Sequence, residues 1–266
     1  MIADCYFAIG KTHRICEDFA WADGLSLAVI SDGCSSSHNT DWGARFLCRA
    51  AQLTWDRVGD PQVRQIIGRA DYMRYGADLH PTCLDATLLV AFPELEGIEV
   101  RAWGDGVVAA RQRDEPHAWD ISVIHYRYGA PGYPSYLLDP DRMETFLSET
   151  SAQREILSCV LEGDKSLWAS EAREGFPHEG DAFEFPRDKY DLVVLASDGV
   201  QSFQQKDGRE MRTLDTLTVL RALLDFKGTG GEFVTRQVRW FLRKFCPNNG
   251  WHHNDDLAVA AIYMEE

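Results

Sequence analysis

The sequence predicts an α+β protein in which antiparallel sheets carry helices on their outer faces. Short apolar runs rich in Val, Ile and Leu read as buried strands. Segments with helical spacing follow the first strands and precede the last one. The order strand–strand–helix–helix, then many strands, then helix–helix–strand does not alternate as β-α-β units do, which favours antiparallel sheets.

Residues 2–9 and 25–31 read as strands joined by a loop that carries Glu17 and Asp18. Over 40–57, Gly43, Phe46, Leu47, Ala50 and Leu53 or Thr54 recur at helical spacing, with Asn39 or Thr40 as the cap. A second helix of weaker pattern is expected over 61–79, then strands at 84–92, 98–103, 106–112 and 118–126. The stretch 128–185 is the least readable. It opens with the turn-like composition of Tyr128–Tyr136, a helix is expected over 142–161, and the whole reads as an irregular surface insertion in a single domain spanning 1–266. A strand at 190–197, helices at 213–226 and 231–245, and a strand at 256–263 complete the chain. Val234, Val238, Phe241 and Phe245 form a core-facing stripe on the last helix.

With 266 residues and 45% hydrophobic content the chain can bury a substantial core. No run approaches the roughly 20 apolar residues needed to cross a bilayer, and Met1–Cys5 does not resemble a signal peptide. A cytoplasmic location is expected. The 7 cysteines are scattered, odd in number and without a Cys-x-x-Cys pair, so neither a disulfide framework nor zinc is expected. Cys34 stands apart because it follows Asp32-Gly33. The net charge of −15 disfavours nucleic acid or an anionic membrane as partner. Bound cations would have to supply any local positive charge for an anionic substrate.

Three apolar runs end in an Asp-Gly pair: Leu27–Ser31 before Asp32-Gly33, Val100–Gly104 before Asp105-Gly106, and Leu192–Ser197 before Asp198-Gly199. Asp255 stands in mirror image before Leu257–Tyr263. Two further pairs, Asp23-Gly24 and Asp207-Gly208, read as ordinary turns. A strand end holds a carboxylate rigidly at a rim, and the following Gly lets the backbone approach a ligand. Singly, each of the three pairs is as consistent with a turn as with a ligand. Together they point to a site for hard divalent cations.

In order, His13-x-x-x-Glu17-Asp18, Ser31-Asp32-Gly33, Asp85–Leu88, Gly104-Asp105-Gly106, Ala196–Gly199 and Asn254-Asp255-Asp256 resemble the motifs of the metal-dependent serine/threonine protein phosphatases of type 2C (the PPM family). Ser35–Ala44 is closest to the compact bacterial branch. The resemblance implies a four-layer α-β-β-α sandwich, with two antiparallel sheets face to face. It also implies hydrolysis of phosphoserine or phosphothreonine by a water bridging two Mn²⁺ or Mg²⁺ ions. The partners would be a phosphoprotein and a cognate serine/threonine kinase. The competing reading is a catalytically weak or inactive regulatory module that binds a phosphoprotein or kinase.

By the resemblance, Asp32 bridges both ions, Asp198 and Asp255 complete the first, the Gly33 carbonyl binds the second, and Asp18 holds its waters. Asp105 and Asp256 would support these ligands through hydrogen bonds, with Asp256 standing where the family commonly has Asn, and Glu17 is either such a support or a solvated neighbour. The family's phosphate-binding Arg is replaced by His13, with Arg14 beside it, and either could contact phosphate. Cys34 occupies a position where many eukaryotic members carry a His proposed to protonate the leaving group. That leaves a metal-bound water, His13 or His38 as the general acid. Ser202 stands where an acid of the third metal site is expected, so a third ion is doubtful. Trp251-His252-His253-Asn254 reads as a rim loop, Asp85 as a partner of Thr87 or a turn residue, and the tyrosines at 126, 128, 133 and 136 as groove lining or insertion packing.

Overall fold

The computed structural model describes residues 1–127, 131–148, 152–162, 165–207 and 210–265. Its elements are β1 (Ile2–Ala8), β2 (Phe19–Ala22), β3 (Ala28–Ser31), α1 (Thr40–Val58), α2 (Val63–Gly76), β4 (Leu88–Glu94), β5 (Gly97–Trp103), β6 (Gly106–Gln112), β7 (Ala118–Tyr126), α3 (Pro140–Ser148), β8 (Arg154–Glu162), β9 (Lys165–Arg173), β10 (Asp181–Pro186), β11 (Tyr190–Ala196), β12 (Phe203–Asp207), β13 (Glu210–Thr213), α4 (Thr216–Leu223), α5 (Phe233–Trp240), β14 (Trp251–His253) and β15 (Leu257–Tyr263). Helix α5 continues through a wider turn, Phe241–Phe245, into Cys246–Asn248.

Two antiparallel sheets form the centre. One has seven strands in the order β1-β15-β11-β6-β7-β8-β9, the other five in the order β10-β5-β4-β3-β2. The central strands are apolar on both faces because both faces are covered. Val193 and Leu195 of β11 and Ala258, Ala260 and Ile262 of β15 face the five-stranded sheet. Leu192, Val194, Val259 and Ala261 face α4 and α5, where Leu220, Val234, Val238 and Phe241 meet them. Leu47, Ala51, Ile66 and Ile67 of α1 and α2 cover the outer side of the five-stranded sheet. The result is the expected α-β-β-α stack.

Several expectations are corrected. The helix expected over 142–161 ends at Ser148, and Arg154–Glu162 pairs with β7 as a strand. Nor is 128–185 irregular: β8 and β9 extend the larger sheet and β10 edges the smaller one. Arg154 and Arg173 reach across to Asp181, with the buried Arg154–Asp181 pair bidentate at 2.6 and 2.8 Å, so charge joins the two sheets there. Strand β2 and the small sheet β13-β12-β14 are additional, and Trp251–His253 is a strand, not a rim loop. Residues 81–84 form a 3-10 turn ahead of β4. Asp23 makes the expected turn, accepting three backbone N–H groups. Tyr128 and Gly208 lie outside the described residues.

Candidate active site

The acids singled out in the sequence come from matching strand ends of both sheets. Asp18 precedes β2 and Asp32 follows its antiparallel neighbour β3. Asp198 follows β11, and Asp255 precedes its antiparallel neighbour β15. Asp105 lies where the chain crosses from β5 in one sheet to β6 in the other. All five line one cavity of about 170 Å³, together with His13, Glu17, Gly33 and Asp256.

Close backbone approach fixes the far side. A Cβ on Gly199 would stand 1.8 Å from the Asp256 carbonyl oxygen, and one on Gly10 2.3 Å from the Asp255 carbonyl carbon. Glycine at both places lets two loops close on the Asp255-Asp256 backbone. Ser202 joins them, donating to the Gly199 carbonyl at 2.8 Å and accepting from Asp255 N–H at 3.2 Å.

The electrostatics are those of crowded anions. Burial, opposed by a Ser197 hydrogen bond of 2.6 Å and aggravated by Asp198 and Asp256, holds Asp18 up at about 7. Burial with the nearby charges of Asp198 and Asp18 holds Asp105 at about 7. Asp32 is pushed well up by burial and by Asp18 and Asp198, and Asp198 is also raised, chiefly by burial. Asp32 lies close to both Asp18 and Asp198, and each of these charges makes its carboxyl harder to ionise. Among the described residues no three acidic, imidazole or thiol groups already converge on one coordination point. The oxygen donors nevertheless fit hard cations, and carboxylates this close call for compensating positive charge.

Asp256 is buried and ties down the loop before Asp18, accepting from Gly10 N–H at 2.7 Å and Glu17 N–H at 2.6 Å. His13 sits between the two acids, with Nδ1 3.1 Å from Asp256 and Nε2 3.3 Å from Asp255. Burial would lower its pKa, but Asp256, Asp255 and Glu17 together raise it. Glu17 is raised by burial and accepts from Thr40 at 2.9 Å.

The structure does not bring every candidate to the cavity. Arg14 and His38 are exposed and do not line it. Tyr133 does, beside Pro131, whereas Tyr126 and Tyr136 pack in the core. Thr87 binds Asp32 N–H at 3.0 Å and Ser31 Oγ at 2.6 Å, while the Asp85 carboxylate turns to Ser37, Ser135 and Arg142 instead. Sequence reasoning missed Ser197, Ser202 as a tie, and Pro131. The two serines sit within or beside the Ala196–Gly199 motif, which was the available signal.

A family model for protein phosphatase 2C matches residues 11–227. The chain belongs to the protein phosphatase 2C family. Among solved structures, a bacterial serine phosphatase is similar at a TM-score of 0.57 and 14% identity, with 100% of this chain and 98% of that one covered. The serine/threonine phosphatase Stp1 from Staphylococcus aureus is similar at 0.52 and 14%, with 100% and 96% covered. PppA, described as a regulatory component of the type VI secretion system (T6SS) in Pseudomonas aeruginosa, is similar at 0.50 and 13%, with 97% and 95% covered. Their phosphatase-2C fold is the one seen here. A search of curated proteins finds no match.

Proposed function

We propose that this member of the family is a serine/threonine protein phosphatase that requires two Mg²⁺ or Mn²⁺ ions. The observation that carries the reading is the convergence of Asp18, Asp32, Asp198 and Asp255, from paired strand ends of both sheets, on one cavity. Asp32, Asp198, Asp255 and the Gly33 carbonyl would hold the ions, with Asp18 supporting them. Bound there, the ions would supply an activated water and positive charge for the phosphoryl oxygens. His13 lines the same cavity between Asp255 and Asp256, where a protonated imidazole would add positive charge beside a phosphoryl oxygen. Arg14 is exposed and does not line the cavity.

The test is Mn²⁺-dependent hydrolysis of an aryl phosphate and a phosphothreonine peptide by wild type and by Asp32→Asn, Asp198→Asn and Asp255→Asn. Each substitution should cost at least about 10²-fold in rate, since charge stabilisation is the largest catalytic contribution. Full activity in all three variants would overturn the assignment. A metal-loaded wild type that binds the phosphopeptide without turning it over would favour a non-catalytic binding module.

A further inference from the structure

Asp85 is a buried acid outside the carboxylate cluster. Its Oδ1 accepts from the Ser135 hydroxyl at 2.7 Å and from Arg142 Nη2 at 2.8 Å, and its Oδ2 accepts from the Ser37 hydroxyl at 2.9 Å. Its backbone carbonyl accepts from Cys34 N–H at 2.8 Å. These donors belong to two segments that both border the cavity. Cys34 and Ser37 follow Asp32-Gly33, whereas Ser135 and Arg142 lie on the stretch that brings Pro131 and Tyr133 to the cavity. A buried carboxylate paired with a guanidinium and saturated by hydroxyls is a directional tie, and it is costly to break on one side only. The Arg142 guanidinium also covers the Tyr136 ring at 4.9 Å, and Tyr133 reaches the Cys34 thiol.

We propose that Asp85 and Arg142 form a latch that holds the Tyr133 wall against the Cys34 loop, giving the polypeptide around a phosphorylated residue a fixed surface to lie on. The proposal rests on the phosphatase reading above. Both are positioning residues: neither lines the cavity that takes the phosphoester. A small aryl phosphate needs the carboxylate pocket alone, whereas a peptide must extend past Pro131 and Tyr133. A loosened wall therefore weakens peptide recognition selectively.

The experiment compares wild type, Arg142→Met and Arg142→Lys with Mn²⁺ on a phosphothreonine peptide and an aryl phosphate. Arg142→Met should lower kcat/KM for the peptide at least about tenfold, mainly through KM, and change aryl phosphate turnover by less than about twofold. Arg142→Lys, which keeps the charge, should recover most of the loss. Maleimide labelling of Cys34, read by peptide mass mapping, follows the wall without any turnover and should run several-fold faster in Arg142→Met. Equal losses on both substrates, or Cys34 labelling at the wild-type rate, would overturn the latch. If wild type turns over neither substrate, the phosphatase reading fails, and the labelling rate alone decides the latch.

Discussion

Stripped of divalent cations, this protein should lose stability as the pH rises from about 4 to about 7. Asp18 and Asp105 are each held up at about 7 in the folded chain, against an ordinary 3.8. Below the ordinary value both states are protonated. Between the two values the unfolded chain gives up protons that the folded chain retains, so each added pH increment favours unfolding. Raising one carboxyl from 3.8 to about 7 corresponds to roughly 4 kcal/mol once the pH exceeds the folded value. The two contributions do not add fully, because both include repulsion from Asp198. The assay is urea unfolding of chelator-treated protein across this range, with and without Mg²⁺ or Mn²⁺. Bound cations should flatten the dependence, because they occupy the carboxylates in ionised form and favour proton release. Asp105→Asn should flatten it in the metal-free protein and raise stability near neutral pH, which separates the site from the general effect of a net charge of −15. Metal-free stability that holds steady or climbs across this range, or an unchanged slope in Asp105→Asn, would refute the crowding argument.

Three further outcomes are expected. Gly199→Ala, whose Cβ would stand 1.8 Å from the Asp256 carbonyl, should cost about 1–3 kcal/mol in urea unfolding and depress activity more than Gly228→Ala, where the space is open. Arg154→Met strips one of two arginines from buried Asp181, with Arg173 remaining, and should destabilise by about 2–3 kcal/mol, read as a lowered urea midpoint. Ser202→Ala removes the hydroxyl between Gly199 and Asp255 and should weaken Mn²⁺ binding in calorimetry several-fold, whereas Ser202→Thr should restore it.

The layers were legible where an element is buried on both faces or carries a continuous apolar stripe, as in β11, β15, α1 and α5. They were not legible in β8, where Ile156, Cys159, Val160 and Leu161 sit at spacings that suit a helix as well as a strand. Pairing with β7 decides that case, and pairing is non-local. Strand β2 is only the four-residue apolar run Phe19–Ala22, too short to read with certainty as a strand until its pairing with β3 is known. Asp32, Asp105, Asp198 and Asp255 stood out because each borders a strong strand, whereas Asp18 came only from the resemblance to the family. Their supports did not, because those contacts join distant residues: His13 meets Asp256, and Asp85 meets Arg142. The exposed place of Arg14, next to His13 in sequence, follows from the loop path that Asp256 imposes through Gly10 and Glu17.

The adjacency of β11 and β15 has an evolutionary consequence. Ala196 sits opposite Val259, so Asp198 and Asp255 are spaced by a ladder whose slippage by one residue would exchange the face packed on the five-stranded sheet for the face packed on α4 and α5. Their separation is thus set by greasy residues that no catalytic selection acts on directly. The excursion between α4 and α5 is then free to lengthen or shorten among descendants of this gene, since neither carboxylate depends on it for its place.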